Sequence, residues 1–206
     1  MSSRSSAPRS PHGYPERLRD WSKVILFLWL IELADRFLFG NSLQAHGIHP
    51  RRLSHLEGLI FAPILHTTWS HLAGNSLSLL LLGAVLLTSG WRTLLSVSAA
   101  AAASGGCLVW LIGQSDTNHI GASSIVFGYL AFFLASGLYR PSPGTILMSL
   151  AVLLFYGSHL TGVLPTETIR AADISWEGHL GGALGGFLMA RHHRRKPASC
   201  PKLRAR

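Results

Sequence analysis

Three small groups of residues in this chain have types and spacings suited to acyl-transfer chemistry: His71 with Asn75, the pair Ser123-Ser124, and His179. A serine hydroxyl is a weak nucleophile until a neighbouring base takes its proton, and imidazole does that work well near neutral pH. His71 and Asn75 are four residues apart, so on a helix they share one face. They can aim a ring nitrogen and an amide at one point, as donors to a developing oxyanion would. Taken singly, each group has a plainer reading. Serines in apolar helices usually bond a carbonyl one turn back, and polar pairs often simply bridge membrane helices. Together they gain weight, because each group opens an apolar run.

Those runs define the class of protein. Of 206 residues, 48% are hydrophobic and only 13% charged, with a mean hydropathy of +0.32. Apolar blocks recur at lengths near the ~20 residues that a bilayer core requires, which points to an all-α, polytopic membrane protein. The net charge of +9 could suggest nucleic acid as a partner, but its distribution argues against that. Arg4, Arg9, Arg17, Arg19 and Lys23 precede the first apolar run, and Arg191, Arg194, Arg195, Lys196, Lys202, Arg204 and Arg206 follow the last. Basic tails beside membrane segments fit two cytoplasmic termini in contact with anionic headgroups. Cys107 lies in an apolar run and Cys200 in the basic tail, so neither a disulfide nor a cysteine metal site is expected.

The chain divides into a disordered basic tail over residues 1–22, a six-helix domain over 23–190 and a basic tail over 191–206. Val24–Phe39 is the first span; Glu32, Asp35 and Arg36 within it, and no evident small-residue cleavage site, argue against a signal peptide. Asp35 and Arg36 are expected near the outer interface, with Glu32 deeper and facing the bundle. Asn41–Leu65 is too polar to span and reads as a structured loop with a short interfacial helix. The second to sixth spans are His71–Thr88, Thr93–Ile112, Gly121–Tyr139, Thr145–His159 and Trp176–Ala190, with a polar outer loop over Thr161–Ser175. By that count fourteen Lys and Arg are inside and three outside, leaving Arg36 uncounted.

Spans two, four and six then run from outside to inside, so His71, Asn75, Ser123, Ser124 and His179 all lie at the outer face. Gly182 and Gly186 fall three and seven residues after His179, on its side of the helix. Ser124, Gly128, Ala131 and Ala135 form a matching small-residue stripe on the fourth span. Close packing of the two would bring a serine hydroxyl within reach of His179. Ser124 belongs to the stripe and Ser123 sits one position round, beside Phe127, which favours Ser123 as nucleophile. Glu177 projects away from His179, and Asp116 and Asp173 lie on loops, so a Ser–His dyad is expected rather than a triad.

In three ordered motifs the chain resembles the rhomboid family of intramembrane serine proteases. They are His66-Thr67-Thr68-Trp69-Ser70-His71-Leu72-Ala73-Gly74-Asn75, then Gly121-Ala122-Ser123-Ser124, then Gly178-His179-Leu180-Gly181-Gly182 with Gly186. The resemblance covers roughly Gly47 to Ala190. It implies a six-transmembrane-helix bundle of rhomboid-like architecture and an endopeptidase acting on transmembrane segments of other proteins. It makes Ser123 the nucleophile and His179 its base. His71, Asn75 and the main chain at Ser123 serve the oxyanion, His66 braces the first loop, and Gly121, Phe127, Gly182 and Gly186 give structural support. Ser124 replaces a frequent Gly, Phe127 a Tyr and Gly178 an Ala, and the Trp-Arg pair of some relatives' first loop is absent.

The resemblance also implies no metal and no organic cofactor, and an integral multi-pass protein of a bacterial plasma membrane. Two rivals are a catalytically inactive relative that binds client transmembrane helices, and a metal site or transporter using some of the 11 histidines. The intact Ser, His and Asn positions weigh against the first, and the lack of carboxylates backing the histidines against the second.

Overall fold

A computed structural model describes residues 13–171 and 174–193. The outer parts of both basic tails, with Cys200 and Asp173, lie outside the described residues. Eight α-helices follow in order: α1 (Tyr14–Phe37), α2 (Gly58–Phe61), α3 (Trp69–Leu87), α4 (Trp91–Ile112), α5 (Ser123–Tyr139), α6 (Pro143–Tyr156), α7 (Glu167–Ala171) and α8 (Trp176–His193). Single 3₁₀ turns punctuate the long first loop and the segment after α6.

The bundle is built around α8, which presents small residues on two sides. A Cβ on Gly182 would run into the backbone of Ser124 on α5, and one on Gly186 into that of Gly128. On the other side, a Cβ on Gly181 would lie 2.7 Å from Gly105 Cα of α4, and one on Gly185 would lie 2.6 Å from the Ala100 carbonyl. Ser104 Oγ adds a 2.7 Å hydrogen bond to the Gly181 carbonyl. The glycines thus let three backbones approach closely, replacing the hydrophobic drive that lipid cannot supply between helices. Beyond this core Leu72, Leu79, Leu82, Leu86, Leu94, Val97, Tyr129 and Leu130 are buried among α1, α3, α4 and α5. The periphery is apolar too: Leu147, Leu154 and Phe155 of α6, Phe37 of α1 and Leu38 just beyond it are largely exposed. An exterior of that kind suits a lipid solvent.

By length and composition, α3 and α4 are each long and apolar enough to cross a membrane. The apolar α5 and α6 are shorter, at 17 and 14 residues.

Several expected boundaries shift. Residues 14–22 are helical rather than disordered, because Trp21 is buried and donates through Nε1 to the Leu79 carbonyl at 3.0 Å. Tyr14 likewise reaches the Ala84 carbonyl with its hydroxyl at 3.1 Å. The fifth run breaks earlier than expected: α6 ends at Tyr156, and His159–Val163 forms a 3₁₀ turn. The loop that follows carries α7. Asp35 is buried, with Oδ1 accepting from the Leu43 backbone N–H at 2.9 Å.

Candidate active site

Ser123 opens α5, and the segment feeding it is tied down on several sides. Ile48 and His119 exchange backbone hydrogen bonds of 2.9 and 3.0 Å, and the Gly121 N–H donates to the Ala62 carbonyl at 2.8 Å. Arg51 caps the end of α4 by donating to the Leu111 and Gly113 carbonyls and to Ser115 Oγ. Arg52 pairs with Asp116 at 2.6 Å. The long first loop is therefore a scaffold for the segment that leads into Ser123.

Gly121 makes the turn with φ of +124°, a conformation that side chains rarely adopt. This is why the helix begins at Ser123 and not at Gly121, as the apolar run suggests. A Cβ at Gly121 would also lie 2.6 Å from His71 Nε2 and 3.5 Å from Asn75 Nδ2. Here glycine supplies both the turn and the space for the two donors.

His179 Nε2 and Ser123 Oγ are 2.9 Å apart. On its other side, His179 Nδ1 is 3.1 Å from the Gly162 carbonyl. A carbonyl can only accept, so Nδ1 carries the proton and Nε2 accepts from the serine hydroxyl. The ring is stacked on Phe127, with centroids 4.0 Å apart and planes 12° apart. Imidazole orientation and tautomer are thus fixed by an aromatic face and a main-chain oxygen, where a carboxylate would stand in a triad.

Ser124 faces the opposite way. A Cβ at Gly105 would sit 2.7 Å from Ser124 Cβ, and the Ser124 main chain lies against Gly182. Its side chain is therefore part of the helix contact, as the stripe predicts.

Asn75 is buried, and its Nδ2 has no hydrogen-bond partner among the described residues. The first N–H groups of a helix also lack intrahelical acceptors, so the start of α5 adds main-chain donors beside Ser123. His71 Nδ1 is at the edge of hydrogen-bond range from Thr67 Oγ1, at 3.5 Å. A cavity of about 400 Å³ joins His71, Ser123 and His179, lined also by Thr67, Thr68 and Ser175 among others. Among the described residues, no three His, Cys, Asp or Glu side chains cluster closely enough to hold a metal ion.

His66, in the loop before α3, is buried with its ring edge-on to His71 at 5.2 Å between centroids. Burial, with a smaller push from His71, lowers its pKa to about 3, against a weaker opposing effect of the Ile64 carbonyl. The folded protein therefore binds fewer protons there than the unfolded chain between about pH 3 and pH 6.5. Stability contributed by neutral His66 is complete above the unfolded value and lost as pH falls through that window. The expected slope is up to about 1.4 kcal/mol per pH unit, and His66→Phe should flatten the fall in detergent-solubilised Tm between pH 6.5 and 4.

One feature has no signal in the residue pattern, and a second is signalled only by the four-residue spacing of Glu32 and Arg36. The Gly162 carbonyl that orients His179 is a main-chain atom on a 3₁₀ turn, and no side-chain motif announces it. The partner of Glu32 is Arg36, one turn on, with Oε1 2.9 Å from Nη2.

The family model described as Rhomboid domain matches residues 53–196. Uncharacterized proteins of Mycobacterium bovis and Mycobacterium tuberculosis are each 39% identical over 195 residues, covering 89% of this chain and 80% of their own. One from Mycobacterium leprae is 39% identical over 168 residues, covering 79% of this chain and 66% of its own. The chain belongs to the rhomboid family, whose members are integral membrane proteins and generally serine proteases acting on transmembrane substrates.

Proposed function

We propose that this rhomboid protein is an active intramembrane serine endopeptidase, with Ser123 as nucleophile and His179 as general base and acid. The reading rests above all on the 2.9 Å Ser123–His179 contact, with the far side of the imidazole held by Gly162. His179 Nε2 takes the hydroxyl proton as Ser123 Oγ bonds to the scissile carbonyl carbon. The carbonyl oxygen becomes an oxyanion in reach of Asn75 Nδ2, the His71 ring and the main chain at the start of α5. Collapse breaks the C–N bond, and the His179 proton goes to the departing amine. Water then repeats the sequence on the acyl-enzyme. Neither metal nor organic cofactor takes part.

The same reading includes six membrane crossings by α1, α3, α4, α5, α6 and α8, with both basic ends cytoplasmic beside anionic headgroups and the site toward the outer face. The motif order and the inside bias of Lys and Arg support it. The plasma membrane of a bacterium is the corresponding location, consistent with the mycobacterial relatives. Substrates are membrane proteins whose transmembrane segment unwinds near that face, since a helical peptide bond is shielded by its own turn. Helix-breaking residues near the cut favour that step.

The full chain in proteoliposomes with a model transmembrane substrate tests the reading. Cleavage is expected to persist in chelator and to be lost on treatment with a fluorophosphonate. Loss to chelator, or no cleavage of any unwound transmembrane substrate, would count against it.

A further inference from the structure

Glu32 is only 3% exposed, and the proposed chemistry makes no use of it. Its partner Arg36 does more than neutralise it. Arg36 Nη2 also donates to the Thr67 carbonyl at 3.3 Å, and the guanidinium lies over the Trp69 ring, Cζ 5.1 Å from its centre. Trp69 in turn stacks on Trp29 of α1, with centroids 5.9 Å and planes 20° apart. Trp29 Nε1 donates to the buried Ser76 Oγ at 3.0 Å. Positions 29, 32 and 36 follow helical spacing along one side of α1. They hold Thr67, Trp69 and Ser76, which bracket His71 and Asn75 at the start of α3. None of the three α1 residues lines the catalytic cavity.

A buried ion pair rarely gains net stability over apolar residues of the same size, and charges in membrane helices are costly. Arginine's planar, delocalised cation, however, can lie over an aromatic ring while Nη2 donates to both a carboxylate and a carbonyl, as Arg36 does. We propose that Glu32 and Arg36 are positioning residues for the oxyanion donors. Glu32 orients Arg36, Arg36 fixes Thr67 and Trp69, and the first turn of α3 then aims His71 and Asn75 at the site beside Gly121. The catalytic consequence rests on the peptidase reading; the ordering of α3 does not.

The test uses the full chain in proteoliposomes. Arg36→Gln is expected to lower kcat about tenfold with KM changed by less than about twofold, because donors that act on the transition state move kcat. In a His71→Ala/Asn75→Ala background the same change should cost less than about twofold, since no donor is then left to aim. Arg36→Lys should restore only part of the loss. Glu32→Gln/Arg36→Gln removes both charges, so an unpaired buried carboxylate cannot account for its result. Amide exchange gives a readout independent of cleavage. In both glutamine variants residues 68–72 should exchange about tenfold faster, while the first turn of α5 is unchanged. Equal kcat losses in the two backgrounds, or unaltered exchange at 68–72, would overturn the proposal. A wild type that cleaves nothing overturns the peptidase reading instead, and the exchange comparison then decides the positioning role alone.

Discussion

Ser123→Ala is expected to abolish cleavage of a transmembrane substrate and all fluorophosphonate labelling, while Ser124→Ala retains both. The two hydroxyls are adjacent in sequence, yet their surroundings differ completely. Ser123 Oγ is 2.9 Å from a base whose tautomer makes it an acceptor, whereas Ser124 is wedged between Gly105 of α4 and Gly182 of α8. Loss of the nucleophile should cost at least about 10³-fold, measured as initial rate in proteoliposomes. Asn75→Ala provides the graded comparison. It removes one donor and leaves the dyad intact, so about 10²- to 10³-fold in kcat is expected. Labelling that moves to Ser124 in the Ser123→Ala protein, or cleavage that survives it, would refute the assignment.

Gly182→Ala should also be strongly damaging, although it adds a single methyl group to a residue that does no chemistry. The new Cβ would have to share space with the Ser124 main chain, lying 2.8 Å from its Cα, and backbone cannot swing aside as a flexible side chain can. Helices α5 and α8 must therefore separate, and with them Ser123 and His179. Overpacking of this kind costs roughly 1–3 kcal/mol of stability, and a displacement near 1 Å at reacting groups can cost about 10²-fold in rate. Gly74→Ala is the control, because a Cβ there meets nothing within 4 Å and alanine favours a helix. Comparable kcat for the two variants would show that close approach of α5 and α8 is not what sets the dyad.

Much of this organisation was legible from residue types. The apolar runs located α3, α4, α5 and α8 to within about two to three residues, the ordinary precision of helix ends. The stripe of Ser124 and Gly128, matched to Gly182 and Gly186, foretold which helix faces meet. Small residues at helical spacing mark a contact face in an apolar helix, because only there can two backbones close in on each other. The amino-terminal boundary was not legible, because residues 14–22 are polar by composition and gain their order from Trp21 and Tyr14 reaching across to α3. Composition placed Glu32 only in the bundle interior, and the four-residue spacing to Arg36 was the remaining clue to its partner.

What the amino-acid sequence determined by itself is the chemical inventory and its coarse placement: a hydroxyl, an imidazole and a pair of donors, each at the mouth of an apolar helix. Those depend on side-chain identity and local periodicity, both of which are written along the chain. Only the tertiary structure decided that a main-chain carbonyl at Gly162 fixes the imidazole, that the first loop anchors the segment before Ser123, and that Arg36 holds Thr67. Every residue carries the same backbone oxygen, so no sequence distinguishes the one that folding brings against a histidine 17 residues away.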